Sequence, residues 1–428
     1  MRPVRKVVFA FALAWFSSSL ATVRADGLIR DGLGAISGGR GGTNIGFADN
    51  GAVIYDNPGA LVNVANNGLI DLDVDTVISQ VHYTDSKPNN VYSAVRPIPT
   101  PDLAYIRRSR DRRWAWGIGA FAPAGFGASY QFQNSFAGPQ KYQSLDGMGK
   151  LLGALCFRVT DRLSIGGNLG IAINYLNLQG PLYLQSGMLA GAPTISNLQN
   201  TGVAPTGGFG IQYLLNEKTT LGLNYISESK FKMGGNMNAL AFGLAPFPIY
   251  TKFAATTNMI WPRSVGVGLS HRFNRRHTLG IDVIWYDWSH AFNQVNVNLT
   301  NPSNPLVGAV VGSANVQRFP LDWRDTVSLR VGYQWAPDDV NTFRFGYVYH
   351  ASPSNTATLT PFTDGLLEDT FSIGYSRKVG GVYLNTAYQY TWGPTRSVGT
   401  SALAGGDFSH STLHTQAHIA FAGVLVPF

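Results

Sequence analysis

From Leu69 onward, hydrophobic and polar residues alternate almost one for one along the chain. Val327, Leu329, Val331, Tyr333 and Trp335 fall on one face of an extended run, and Thr326, Ser328, Arg330, Gly332 and Gln334 on the other. Phe343, Phe345, Tyr347 and Tyr349 oppose Arg344 and Gly346 in the same way, and Leu279, Ile281, Val283 and Trp285 oppose Gly280 and Asp282. A period of two predicts strands with one apolar face, because successive side chains leave opposite sides of the pleat. Short polar breaks fall near 108–113, 160–161, 216–218, 274–277, 336–340 and 379–380. Long connections are expected near 84–100, 133–147, 179–202, 235–254, 297–320, 351–366 and 393–411. Short and long breaks alternate, and about fourteen strands fit between them, an even number as single-chain outer-membrane barrels have.

Both ends of the chain differ from this pattern. Arg2, Arg5 and Lys6 precede an apolar run of ten, 7–16, and Val23-Arg24-Ala25 follows. Charge, then apolar run, then small residues is the order of a secretory signal peptide, so export with cleavage after residue 25 is expected. Residues 27–68 hold eleven glycines and keep no period of 2 or 3.6, which predicts irregular backbone with short helical turns. Gly32-Leu33-Gly34 lacks the third glycine of a dinucleotide fingerprint, and no strand precedes it. The chain ends Val424-Leu425-Val426-Pro427-Phe428, and a terminal Phe with apolar residues before it resembles the assembly signal of outer-membrane barrels. Phe421 departs from that signal, which is polar there.

Composition narrows the class. Charged residues are 13% of the chain, about half the ~25% of a soluble domain, yet mean hydropathy is zero. Past the leader no run of ~20 apolar residues exists, which excludes a helical membrane protein. With 12% aromatic residues the chain is not disordered. An exterior that meets lipid, diluted by an alternating polar interior, fits all three observations: an all-β, transmembrane, antiparallel barrel. Trp261, Trp288, Trp323 and Trp392 near the long connections, and Trp114, Trp116 and Trp335 near the short ones, are expected to form interfacial girdles. The formal charge of +8 falls to about +4 without the leader, which leaves no nucleic-acid footprint.

Candidate chemistry is sparse. The single Cys156 permits no intramolecular disulfide and no cysteine metal site, and its apolar surroundings predict a packing role. His410, His414 and His418 have metal-compatible spacing only on a helix, and the region reads as the last strand. Asp282, Asp287 and His290 read as lumen or rim residues, and Arg107, Arg108, Arg110, Arg112 and Arg113 as a solvated turn. No catalytic residue, metal site or cofactor is expected. Pro123, Gly125 and Gly127 interrupt the strand 116–131; proline lacks a ladder donor, so the segment is either a break in the wall or two strands with a turn.

Several blocks carry a resemblance. Asp56-Asn57-Pro58-Gly59-Ala60, Trp116-Gly117 through Pro123, Gly125 and Tyr130, then 220–225 with Ser227, 261–264, 278–289 and 323–332 resemble the FadL/TodX family of outer-membrane long-chain fatty-acid and hydrocarbon transporters. Gly59 departs from the family's usual Ala. The resemblance implies a fourteen-stranded barrel, 69–428, with residues 26–68 folded inside as a plug bearing the motif Asn57, Pro58, Gly59. It also favours the break at Pro123, Gly125 and Gly127, through which ligand leaves sideways. The expected function is passive uptake of a hydrophobic molecule, foremost a long-chain fatty acid. Leu240, Phe242, Leu244, Phe247, Ile249 and Tyr250 are the expected landing residues. Expected partners are that ligand, outer-membrane lipid and lipopolysaccharide, and the barrel-assembly machinery through Phe428. The expected setting is the outer membrane of a Gram-negative bacterium, as a monomer with both termini periplasmic. A general porin for small polar solutes is the alternative.

Overall fold

The computed structural model describes residues 28–428 apart from 88, 188, 244, 313 and 364. The leader and the candidate Leu244 therefore lie outside the described residues. Fourteen strands follow one another around a closed antiparallel barrel: β1 (Gly68–Thr84), β2 (Ile98–Arg108), β3 (Trp114–Asn134), β4 (Gly138–Arg158), β5 (Leu163–Tyr183), β6 (Pro193–Asn216), β7 (Thr219–Ile226 and Ser229–Ala241), β8 (Ile249–Trp261 and Ser264–Arg272), β9 (His277–Tyr286 and Gln294–Thr300), β10 (Ala314–Pro320 and Thr326–Trp335), β11 (Asn341–Tyr349), β12 (Asp369–Val379), β13 (Val382–Trp392) and β14 (Thr412–Pro427). β14 closes on β1 in continuous register from Leu69 opposite Pro427 to Thr84 opposite Thr412. Closure leaves no row of unpaired backbone at either end of the sheet.

All six expected short breaks are tight turns at one end of the barrel, beside Gly68 and Phe428. The other end departs from the sequence reading. The stretch 133–147 is not a loop: β3 and β4 run on to a three-residue turn at 135–137, and β6 begins at Pro193. Likewise only 242–248 separates β7 from β8, so Leu240, Ile249 and Tyr250 are strand residues. These segments pair because their inward side chains are buried in apolar clusters, Leu176, Leu198, Met237 and Met259 in one and Tyr142 in another. Polarity alone made them look like loops.

Outward positions form the apolar belt. Leu72, Val74, Leu169, Val203, Val267 and Phe371 are all exposed, Leu169 to 73%, a surface that water would penalise by about 25 cal/mol per Å². Inward positions are polar at the short-turn end: Asp71, Asp73, Ser164, Asn168, Asp282, Ser328 and Gln389 are buried. Their partner is the N-terminal segment. It contains α1 (Gly34–Gly38), α2 (Val53–Asp56) and a tight 3₁₀ turn, Pro58–Asn63. Gly41 and Gly42 adopt φ of +65° and +71°, and Gly346 faces them so closely that a Cβ there would lie 2.2 Å from the Gly41 nitrogen. Only glycine on both sides permits that approach.

The tryptophans correct one expectation. Trp261, Trp288 and Trp323 are 1%, 0% and 4% exposed and lie inside, not in an outer girdle. Trp288, in the short helix α3 (Trp288–Ala291), sits with its ring 4.9 Å from both Phe292 and Trp323. Trp261 turns inward by strand parity and donates its indole N–H to Asn174 at 2.9 Å. Trp114 and Trp335, at the short turns, do stay exposed. Phe421, the departure from the terminal signal, points inward at 3% exposure and packs on Gly38.

Candidate functional site

The wall opens beside β3. Its pairing with β2 runs from Arg108 opposite Ala115 to Leu103 opposite Ala120 and stops there. β2 continues to pair with β1 as far as Ile98 opposite Val77, and β3 continues with β4 as far as Asn134, with a register shift between Phe121 and Ala124. Residues 98–102 and 121–134 thus diverge. Pro123 lies in the shift, where a missing N–H costs no ladder bond. Pro99 and Pro101 stand on the facing stretch of β2 and also bring no N–H. The rims are tied: Ala122 donates to the Asp102 carboxylate at 3.0 Å, and Ala94 donates to the Ser129 carbonyl at 2.7 Å. Between them the Ser79 hydroxyl reaches across to the Gly127 carbonyl at 3.0 Å.

The start of the N-terminal segment lies along the free edge of β3. Ile29 bridges Ala124, Arg30 donates its backbone N–H to the Pro123 carbonyl at 3.0 Å, and Gly125 donates to Leu28 at 3.2 Å. Arg30 then fastens this segment. Its guanidinium pairs with Asp75 and, at 3.1 Å, with Asp102, and donates to the Ala122 carbonyl at 3.0 Å. Burial works against its charge, but Asp102 and Asp75 outweigh burial and raise its pKa. Next to it, Asp31 lies 3.3 Å from His350 and 3.4 Å from Arg330. Burial favours its neutral form, yet His350 first and then Arg330 hold its carboxyl below the ordinary range.

Below this latch the lumen is filled. Asp73 accepts from Ala35 at 2.8 Å, Asp71 from Gly51 at 2.7 Å, and Asp282 from Asn44 and Ile45 at 2.7 and 3.0 Å. Asn57 donates to Ile45 at 2.7 Å and to Ile211 of β6 at 3.0 Å, while its side-chain oxygen receives Gly59. Pro58 opens the 3₁₀ turn, and Gly59 lies so near Gly210 that a Cβ would be 2.6 Å from its carbonyl. Cys156 donates to the Gly59 carbonyl at 3.3 Å, a packing role. Asp56 is pushed up to about 7 by burial, against the hydrogen bond from Asn44.

Above it are two cavities. The larger, about 350 Å³, is lined by Leu28, Ile29, Val77, Ile98, Gly125, Gly127, Met148 and Ile419, and so reaches the opened seam. The smaller, about 130 Å³, lies toward the long connections among Leu176, Leu198, Met237, Met259, Phe292, Phe319 and Phe408. Phe126 and Phe362 border both and stand between them. The arrangement can take up apolar atoms from the long-connection end and present them at the seam.

Of the expected site residues, Asn57, Pro58 and Gly59 lie in the filled lumen, and Pro123, Gly125 and Gly127 at the seam. The landing candidates are scattered. Ile249 is buried at 6%, Phe242 is half-buried, and Phe247 and Tyr250 are exposed at 64% and 57%. Arg330 and Arg344 do face inward, but beneath the cavities, where Arg344 donates to Gln334 and Ser376 at 3.0 and 2.5 Å. Asp287 pairs with Arg263 at 2.7 Å, and His290 lies 3.2 Å from Glu228. His410 precedes β14, and no group of three metal-ligating residues occurs among the described residues. Sequence reasoning missed Arg30, the Asp71-Asp73-Asp75 series and the two prolines of β2. The spacing of those aspartates and the dipeptide rhythm Pro99-Thr100-Pro101 were the available signals.

No curated protein matches the chain in sequence. Its fold is similar to that of a Pseudomonas aeruginosa FadL homologue, at 18% identity over 94% of this chain and 100% of that one, with a TM-score of 0.75. It is also similar to the Pseudomonas putida toluene transporter TodX (20%, 93% and 99%, 0.74) and the Ralstonia pickettii toluene transporter TbuX (20%, 93% and 99%, 0.72). The family model of outer membrane transport proteins (OMPP1/FadL/TodX) matches residues 25–423. A closed fourteen-stranded barrel, an opened seam beside the third strand and this match agree: the chain belongs to the FadL/TodX family of outer membrane transport proteins.

Proposed function

We propose that the protein carries hydrophobic molecules passively through the outer membrane of a Gram-negative cell and releases them sideways at the β2–β3 seam. One observation carries the reading: the larger cavity reaches that seam, while the lumen beneath it is filled. In this orientation the short turns and both termini face the periplasm, the long connections face outward, and residues 26–68 act as the plug. Phe247 and Tyr250 supply exposed apolar surface for first contact. Capture needs no energy source, since burying each methylene is worth ~0.8 kcal/mol. Release requires a change of shape, and the segment of Leu28 to Arg30 is the element placed to make it, because it lines the cavity and borders the seam at once.

Long-chain fatty acids and aromatic hydrocarbons are the two ligand classes this reading spans; TodX and TbuX are toluene transporters. The chain acts as a monomer in outer-membrane lipid and lipopolysaccharide, delivered by the barrel-assembly machinery through Phe428. A porin is disfavoured by the filled lumen.

The test is Gly127→Phe. A Cβ on Gly127 falls 3.3 Å from the Leu145 side chain and 3.5 Å from both the Ile98 side chain and the Ser144 carbonyl oxygen, so the position admits a side chain with no backbone clash at Cβ. Uptake of labelled toluene, decanol and oleate by cells expressing the protein should fall for every solute the unaltered protein carries, by about ten-fold or more. The heat-modifiable shift of the folded barrel on gels should persist. Undiminished uptake overturns lateral release, and rapid swelling of sugar-loaded liposomes by the unaltered protein restores the porin.

A further inference from the structure

Two buried carboxylates line the cavities, each with one oxygen unpartnered among the described residues, whereas Asp31 of the larger cavity is engaged by Arg330, His350 and Thr370. Asp407, on the connection between β13 and β14, lines the upper cavity beside Tyr183, Leu403 and Phe408. It is 6% exposed, and its Oδ2 has no hydrogen-bonding partner among the described residues. Asp146, on β4, lines the larger cavity at 2% exposure. Its Oδ2 accepts from Asn174 at 2.8 Å, and its Oδ1 likewise has no partner among the described residues. A buried acceptor without a partner is costly, so it persists where something else meets it. That both cavities carry one is the observation to explain.

Cations are distributed the opposite way. The described lining of the upper cavity contains no Lys, Arg or His. In the larger cavity Arg30 is engaged by Asp75 and Asp102, and His350 pairs with Asp31. Burial pushes Asp407 up to about 6, with Lys87 and the backbone of Tyr183 drawing it down; Lys87 itself is exposed and forms no part of the lining. At neutral pH a carboxylate ligand therefore meets a like charge in an apolar cavity, with no cation free to receive it. A hydroxyl or other donor meets a lining carboxylate that has an unfilled acceptor oxygen, and a charge-assisted hydrogen bond is among the stronger kinds.

Resting on the uptake reading above, we propose that Asp407 and Asp146 select the solute: a long apolar molecule bearing a hydrogen-bond donor, such as a hydroxyl, and not a carboxylate. The two residues mark successive stations. Asp407 receives the donor group in the upper cavity, and Asp146 receives it once the molecule has passed Phe126 and Phe362 toward the seam.

The experiment is calorimetric titration of the full-length protein in lipid nanodiscs at pH 8 with 1-decanol and with decanoate, empty nanodiscs serving as the blank. Decanol should bind about ten-fold tighter or more, equivalent to ~1.4 kcal/mol. Asp407→Asn keeps an acceptor oxygen and removes the charge, so it should strengthen decanoate and narrow the ratio to about three-fold. Asp146→Asn should narrow it in the same sense, which guards against a folding defect in either variant. Decanoate binding as tightly as decanol, or a ratio unchanged in both variants, overturns the selection while leaving hydrophobic uptake standing. Heats no greater than the blank for both ligands overturn the uptake reading and this proposal with it.

Discussion

The lower and upper halves of the lumen are built on the same strands yet obey opposite rules. On β1 the inward positions read Asp71, Asp73 and Asp75, then Val77, Ser79, Val81 and Tyr83. Below, each carboxylate holds a backbone N–H or the Arg30 guanidinium; above, the same face lines a cavity. The strand thus changes partner between Asp75 and Val77, from a peptide whose polar backbone must be satisfied to a space that apolar atoms can fill. The difference teaches where the protein is sealed and where it is meant to be occupied. Arg30 sits on that border.

Breaking the lower half at its border should have the largest effect. Arg30→Leu leaves Asp75 and Asp102 buried without their cation, a loss of about 3–5 kcal/mol for such pairs. Hydrogen exchange should show residues 28–38 losing protection while the barrel strands keep theirs; equal protection in both proteins refutes the latch. Asn57→Ala removes donations to Ile45 and Ile211 and the acceptor for Gly59, at a cost of about 1–3 kcal/mol. Faster exchange over 44–63, with no change at 28–30, is the expected pattern. Val77→Asn carries the polar rule one step upward. It should weaken hydrophobic ligands about ten-fold, since an unpaired amide in an apolar site costs ~1–3 kcal/mol, and leave protection of the plug as it was.

The smallest effect is that of pH. Burial raises Asp56 from its ordinary 3.8 to about 7, so the folded segment binds this proton more tightly than the unfolded one. The resulting stabilisation is complete below about pH 4 and is lost as pH climbs through 7. After correction for intrinsic rates, amides of α2 should exchange several-fold faster at pH 8 than at pH 5. An unchanged or reversed order counts against the assignment.

Much of this was readable in the chain, and the failures have physical causes. Alternation located the barrel and all six tight turns, because a half-buried strand cannot hide its period. The upper extensions of β3 to β7 read as loops because their outward faces carry exposed Asn, Gln and Thr, such as Gln133, Gln199 and Asn238. Trp261, Trp288 and Trp323 look interfacial in the sequence because position along a strand gives height but not side; parity turns Trp261 inward, and the non-strand segments that carry Trp288 and Trp323 pack them beside it. Pro123 was visible as a break, yet the segment that lies along it comes from almost a hundred residues earlier, a pairing no local pattern contains. The aspartate series on β1 was visible too, but its meaning required knowing that a peptide lay against it.

The plug's attachments are spread around the whole wall: Ala35 on β1, Asn57 on β6, Asn44 on β9, and Gly38 on both Gln389 of β13 and Phe421 of β14. The last of these surfaces exists only after the final residues of the chain have been delivered and β14 has found β1. The segment from Leu28 onward therefore reaches its full set of contacts only once the wall is complete. Its docking is a report that the barrel has closed.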